Sequence, residues 1–290
     1  MDHLLALDPG ARGIARFFVR DGAARAARAL SGAPRVMITT GFSVGPGLPE
    51  TDGPPGAASL GRALRLLGTR VSFVTDAVAT PPLQAALEAL GEPTDVLVFP
   101  AGGSADETAR RLLAEHRPTH LVAVERPGRA RDGDYRSARA ESVRDWNAPL
   151  DALFLARGRR TTVGVGDGGN EIGMGNVRAR IVRGGGVLPR IASVVRVDHL
   201  VVAGTSNWGA YGIVAELSRR AGRDLLHGAE DERAMIDACV AAGAVDGLTR
   251  RREPTVDGLP LPVHVGILEL LRLFAGPRQG ARPTRKPRRT

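Results

Sequence analysis

Thr162-Val163-Gly164-Val165-Gly166-Asp167-Gly168-Gly169-Asn170-Glu171-Ile172-Gly173-Met174-Gly175 is a β-branched run that opens into a glycine-rich, acidic loop. The pattern from Arg160 to Val165 predicts a strand. Six glycines lie in the stretch, and glycine lets backbone turn tightly and approach a bound group. Asp167, Asn170 and Glu171 add two carboxylates and a carboxamide. A loop that only had to turn would not need these acceptors. Gly164, Gly166 and Gly169 also satisfy G-x-G-x-x-G. That fingerprint requires a helix directly after the glycines. Gly173 and Gly175 would interrupt it, at about 1 kcal/mol each. Asp167 and Glu171 would place negative charge where a pyrophosphate should sit. NAD is therefore not expected.

The strand-then-polar-loop arrangement repeats along the chain. Strands are expected at Arg35 to Thr40, Arg70 to Thr75, Thr94 to Phe99, His120 to Val124 and Asp198 to Val202, besides Arg160 to Val165. Alanine- and leucine-rich helices are expected at Ile14 to Leu30, Ala57 to Leu67, Pro82 to Leu90, Ala105 to His116, Gly209 to Ala221, Glu230 to Ala242 and Val263 to Phe274. Ser104 and Glu107 have capping-box spacing, and Thr80 before Pro81 and Pro82 reads as an N-cap. Val182 to Ile191 reads as an irregular loop. This alternation predicts an α/β fold, a largely parallel sheet flanked by helices. Polar motifs follow each strand, and such sheets bind ligands at the carboxyl ends of their strands. One shared pocket is expected there. The expected organisation is a single domain over residues 1–276 and a basic, disordered tail over 277–290.

Composition removes several function classes. Lys286 is the sole lysine and lies in the tail. A lysine Schiff base to pyridoxal phosphate (PLP) and a Walker-type phosphate loop both need a lysine in the pocket, so neither is available. Cys239 is the sole cysteine, so no intrachain disulfide or cysteine metal cluster can form. The formal charge is +9, but six of those charges fall in the tail, which leaves +3 for the rest. Without aromatic-interleaved basic surface, nucleic-acid binding is not expected. No apolar run approaches the about 18 residues of a membrane helix, and the N-terminus lacks a basic signal-peptide start. A soluble, cytoplasmic protein is expected, and the sequence leaves room for a homo-oligomer.

Four motifs together carry a resemblance. Glu50-Thr51-Asp52-Gly53-Pro54-Pro55-Gly56-Ala57, Glu125-Arg126-Pro127-Gly128, Gly164 through Gly175, and Ser206-Asn207-Trp208-Gly209 resemble, in order, the D-glutamate cyclase family. In larger mitochondrial members this unit is a C-terminal domain, and here the likeness covers roughly residues 10 to 275. The resemblance implies a carbon–oxygen lyase acting on a small molecule, closing D-glutamate to 5-oxo-D-proline with loss of water.

The motif residues suit that chemistry. Asp167, Glu125 and Glu171 are the candidate proton carriers, since a carboxylate can take a proton from the amine and return one to the leaving oxygen. Glu50, Asp52, Asp167, Asn170 and Glu171 are candidate ligands for a divalent ion. An oxygen-only set favours Mg²⁺ or Mn²⁺ over zinc. Arg126 is expected to clamp a substrate carboxylate, and the Gly102-Gly103-Ser104 turn to offer backbone N–H groups to an anion. Thr40, Asn170, Ser206, Asn207 and the backbone at Gly168 and Gly169 would supply further hydrogen bonds, and Trp208 and Tyr135 would wall the pocket. His116, His120, His199, His227 and His264 lie outside the motifs and read as structural or surface residues. Two other readings use the same residues: a metal-dependent hydrolase of a small amide or phosphate ester, and a non-enzymatic module binding a metabolite or nucleotide.

Overall fold

The protein is described as a computed structural model covering residues 1–156 and 158–276. The tail expected over 277–290 lies outside the described residues. Six strands, β1 (Arg35–Thr40), β2 (Arg70–Thr75), β3 (Val96–Val98), β4 (His120–Val124), β5 (Thr161–Gly166) and β6 (His199–Val202), form one sheet. Its order is β3-β2-β1-β4-β5-β6, and every neighbouring pair is parallel. The strands alternate their side chains between two buried faces, as period-two geometry requires. Val36 and Ile38 of β1, Val122 and Val124 of β4, and Val163 and Val165 of β5 enter one core. Met37 and Leu121 enter a second core, and Ala123, Leu200 and Val202 a third, on the opposite face.

Seven helices of nine or more residues flank the sheet: α1 (Gly22–Leu30), α2 (Pro54–Leu66), α3 (Thr80–Ala89), α4 (Ala105–His116), α5 (Ser206–Ala221), α6 (Ala229–Ala241) and α7 (Leu261–Ala275). α5 is the central one. It packs against α1, α2 and α7, and Trp208, Tyr211 and Ile213 bury its apolar face completely. Ser104 Oγ accepts the Glu107 N–H at 3.3 Å and so caps α4.

Three local expectations are corrected. The helix expected from Ile14 is a single 3₁₀ turn, and α1 begins only at Gly22. Asp21 stands between them with φ +56°, a left-handed conformation that breaks an α-helical ladder. Thr80 lies inside α3 instead of capping it. Its hydroxyl donates to the Asp76 carbonyl, while the Asp76 carboxylate accepts the Ala79 N–H. The expected loop from Val182 to Ile191 contains parts of two one-turn helices, Arg178–Arg183 and Leu188–Ile191.

Candidate active site

Strand order reverses between β1 and β4, whose ends meet at the Thr40–Val124 pair. In such sheets the crevice beyond this switch point is the natural binding place. A cleft of about 510 Å³, part of it open to solvent, lies there. Glu50, Phe42 and Val44 enter it from the segment after β1, Glu125 from the end of β4, and Asp167, Gly168 and Asn170 from the loop after β5. Arg12 reaches in from the N-terminal segment. Arg139 comes from the long loop after β4, and Gly247, Leu248, Arg250 and Asp257 from the segment before α7.

Each floor residue has a local reason for its position. Glu125 has φ +43°, an unfavourable conformation for this residue type. Its Oε2 accepts the Ser206 hydroxyl at 2.6 Å. Gly53 sits opposite with φ +102°, and an added Cβ would lie 2.6 Å from Thr40 Oγ1 and 2.8 Å from Glu125 Cβ. Only glycine fits between these side chains. Gly247 is comparable: a Cβ there would meet Glu50 Oε2 at 2.1 Å. Asp8 accepts backbone N–H groups of Arg12, Gly13 and Ile14, which fixes the turn carrying Arg12.

The glycine-rich loop is held by its own acid. Glu171 Oε1 accepts the N–H groups of Asp167 and Gly168 at 2.9 and 2.5 Å, and Oε2 accepts that of Gly169 at 2.7 Å. The backbone makes an anion nest, and the protein's own carboxylate fills it. No N–H of these three residues is left for a phosphate. The chain then enters a 3₁₀ turn at Met174–Asn176, not a long helix. Both observations argue against a nucleotide at this loop.

Electrostatics dominates the floor. Glu50, Asp52, Glu125, Asp167, Glu171 and Asp257 are all buried. Arg12 pairs with Asp167 at 2.5 Å and with Asp257 at 3.1 Å. Burial opposes the charge on Arg12, but Asp167 and Asp257 outweigh it and hold the guanidinium protonated. The acids respond the other way. Burial, then repulsion from Asp167, pushes Asp52 up to about 8 and Glu171 to about 7. Glu125 is raised by burial and then by Asp167 and Glu171. Glu50 is raised by burial and then by Asp52. Asp257 is raised mainly by burial, with partial relief from Arg12. Glu50, Glu125, Asp167 and Asp257 line the cleft, and they outnumber Arg12, the guanidinium paired among them.

The D-glutamate cyclase-like, C-terminal family matches residues 1–272. The chain belongs to this family. It is 37% identical over 236 residues to human mitochondrial D-glutamate cyclase, an alignment covering 75% of this chain and 38% of that protein. The chain thus spans well under half the length of that relative. Among solved structures, an exopolyphosphatase-related protein of Bacteroides fragilis superposes with a TM-score of 0.46 at 10% identity, over 87% of this chain and 56% of that one. That likeness carries no functional weight.

Within this member of the cyclase-like family, the residues singled out from sequence separate into two groups. Glu50, Glu125, Asp167, Gly168 and Asn170 line the cleft. The others support it from behind. Asp52 accepts the Ser206 and Asn207 N–H groups at 2.8 Å each, which caps α5 with a carboxylate. Asn207 Oδ1 accepts the Gly53 and Gly56 N–H groups, joining α5 to the start of α2. Gly169 is engaged by Glu171 and by Ser193. Thr40 is buried, and its hydroxyl has no partner.

Arg126 differs most from expectation. It is fully buried, and its Nη atoms go to Gly41 O, Ala148 O and the Asp76 carboxylate at 2.6–2.8 Å. The guanidinium locks the ends of β1, β2 and β4 together beneath the cleft, and does not line it. Trp208 likewise lies in the core, with its indole N–H on His264, and the Tyr135 hydroxyl donates to Asp151. The Gly102-Gly103-Ser104 turn is exposed and away from the cleft. Arg12, Arg139, Arg250 and Asp257 line the cleft and were not singled out from sequence.

Two triads of carboxylates could share a cation. Asp52, Asp167 and Asp257 form one, and Glu125, Asp167 and Glu171 the other. The candidate ligand atoms within each lie within 4.8 Å of one another, and Asp167 belongs to both. Among the carboxylate ligands expected from sequence, Glu50 falls outside these triads.

Proposed function

We propose that this chain closes D-glutamate to 5-oxo-D-proline with loss of water, a reading supported by its 37% identity to a protein named D-glutamate cyclase. The observation that carries the proposal is the acid-rich floor of the cleft, with Glu125 and Asp167 at its centre. An α-ammonium is attracted to such a floor, and it must lose protons there to become a nucleophile.

The proton balance of the reaction fits this arrangement. The nitrogen loses two protons as it becomes an amide, and one γ-oxygen leaves as water carrying two. No net proton enters or leaves, so the site only has to relay protons over a short distance. Glu125 suits a relay: burial and then Asp167 raise its pKa, which makes it a better proton acceptor than an exposed glutamate. The Ser206 hydroxyl fixes the Glu125 carboxyl in place. Asp167 lies beside it in a shared triad and completes the relay. Amine and γ-carboxyl belong to one molecule, so the cleft needs only to hold the bent conformer that brings them together.

The residues also fit a divalent cation. Asp52, Asp167 and Asp257 would hold it, an all-oxygen set suited to Mg²⁺ or Mn²⁺, in place of the Arg12 guanidinium that bridges Asp167 and Asp257. When bound, such an ion would supply Lewis-acid polarisation of the γ-carboxylate. Chelator-treated protein is expected to lose turnover and to regain it with Mn²⁺ or Mg²⁺, and the melting temperature should rise on adding back the ion. Unchanged rates in metal-free protein would remove the ion from this proposal.

Among the described residues no helix is long and apolar enough to cross a membrane. We place the chain in the cytoplasm on the strength of its single, buried thiol, which suits a reducing compartment.

A further inference from the structure

The cleft has a second charged wall. Arg139 and Arg250 also line it, on segments other than those that bring in Glu50, Glu125 and Asp167. Arg12 is committed to Asp167 and Asp257, and Arg126 is buried beneath the cleft. Of the three lining arginines, the other two each engage a protein partner among the described residues through Nη2 alone, Leu248 O for Arg139 and Glu141 for Arg250, which leaves their Nη1 groups for an anion.

Their backbones are held firmly. Ser137 Oγ accepts the Arg139 and Glu141 N–H groups, and Asp246 accepts those of Leu248, Thr249 and Gly258 together with the Thr255 hydroxyl. The two turns also clasp each other. Arg139 Nη2 donates to Leu248 O at 2.8 Å, and Arg250 pairs with Glu141. Arg250 has φ +60°, a conformation disfavoured for a long side chain, which its fixed surroundings impose. Arg250 Nε is shielded from solvent and has no partner. Surface ion pairs of this kind contribute little to stability, so stability alone accounts poorly for two arginines directed into one cleft.

We infer that Arg139 and Arg250 bind the α-carboxylate of the substrate and so make the site specific for an α-amino acid. The inference rests on the cyclisation reading. In that reading the γ-carboxyl must lie against Glu125 to give up its oxygen as water. The ammonium lies over Asp167. The α-carboxylate, unchanged in the product, is left facing Arg139 and Arg250. A substrate held this way spans the cleft with its positive group on the acids and its spectator anion on the arginines.

The test compares D-glutamate with its α-amide, which keeps the amine and the γ-carboxylate but loses the α-charge. Wild-type kcat/KM should be about 10- to 100-fold lower for the amide, the worth of one to two charge-assisted hydrogen bonds. Arg139→Gln and Arg250→Gln should lose a similar factor on D-glutamate, mainly through KM, and little more on the amide. The preference should therefore shrink in each variant, as for two changes that remove the same interaction. A purely structural clasp would give losses that multiply and leave the preference intact, which would overturn the inference. A wild type that turns over both compounds equally would overturn it without any variant. A wild type that turns over neither would remove the cyclisation reading and this inference with it.

Discussion

Asp167→Asn is expected to lower kcat on D-glutamate by about 10²- to 10⁴-fold, the usual worth of a positioned acid–base group, and to leave the fold intact. Asp167 is the residue on which the site converges. It lines the cleft, pairs with Arg12 and belongs to both carboxylate triads. The substitution preserves shape, and the backbone N–H that Asp167 gives to Glu171 is unaffected. Arg12 keeps Asp257 and the Gly204 carbonyl as partners. Repulsion toward Asp52, Glu125 and Glu171 is relieved, because Asp167 raises the pKa of all three. The melting temperature should therefore hold or rise while turnover falls by that factor. Rate and melting measured on one preparation decide the matter, and full activity in this variant would take Asp167 out of the chemistry.

Arg12→Gln is expected to cost roughly 3 kcal/mol of stability near neutral pH, the lower end of the about 3–5 kcal/mol seen when a buried pair loses one partner. The lower end applies because the Arg12 side chain is 19% exposed and because the orphaned acids can take up protons. The loss should depend on pH. Asp52 and Glu171 have folded-state pKa values of about 8 and about 7, both above the ordinary carboxylate range. Between about 4 and those values the folded protein holds protons that the unfolded chain has released. Their contribution is present at low pH and is lost as pH rises through that window. Chelator-treated wild type should thus be more stable near pH 5 than near pH 8. Arg12→Gln should steepen that decline, since the acids lose the cation that moderates them. Denaturant midpoints across this pH range are the measurement. A variant as stable as wild type at pH 8 would show that Arg12 is not the counterion of the floor.

The architecture was legible because its signals are local. β-Branched runs of about six residues with polar loops after them predict parallel strands, and five of the six strands lie within one residue of expectation at each end. The motif acids were legible too, since Glu50, Glu125 and Asp167 sit next to the glycines or strand ends that bring them to the cleft. What escaped is carried by distance along the chain. Arg12 lies 155 residues from Asp167, and Asp257 and Arg250 come from a segment with no glycine-rich signature. Arg126 misled for a different reason. Arginine is rarely buried, so a motif arginine reads as a ligand. Its burial is made possible by the Gly41 and Ala148 carbonyls and the Asp76 carboxylate, none of which is adjacent in sequence. Trp208 was placed on the wall by its motif neighbours, but on α5 it turns inward to His264.

The most direct measurement is incubation of the purified chain with D-glutamate and, separately, L-glutamate, with and without Mn²⁺, following 5-oxoproline by chiral chromatography. The expected result is 5-oxo-D-proline from D-glutamate alone, stimulated by the ion and absent with Asp167→Asn. No product from either enantiomer in a folded, metal-loaded preparation would contradict the cyclisation and leave the acidic cleft to a different reaction.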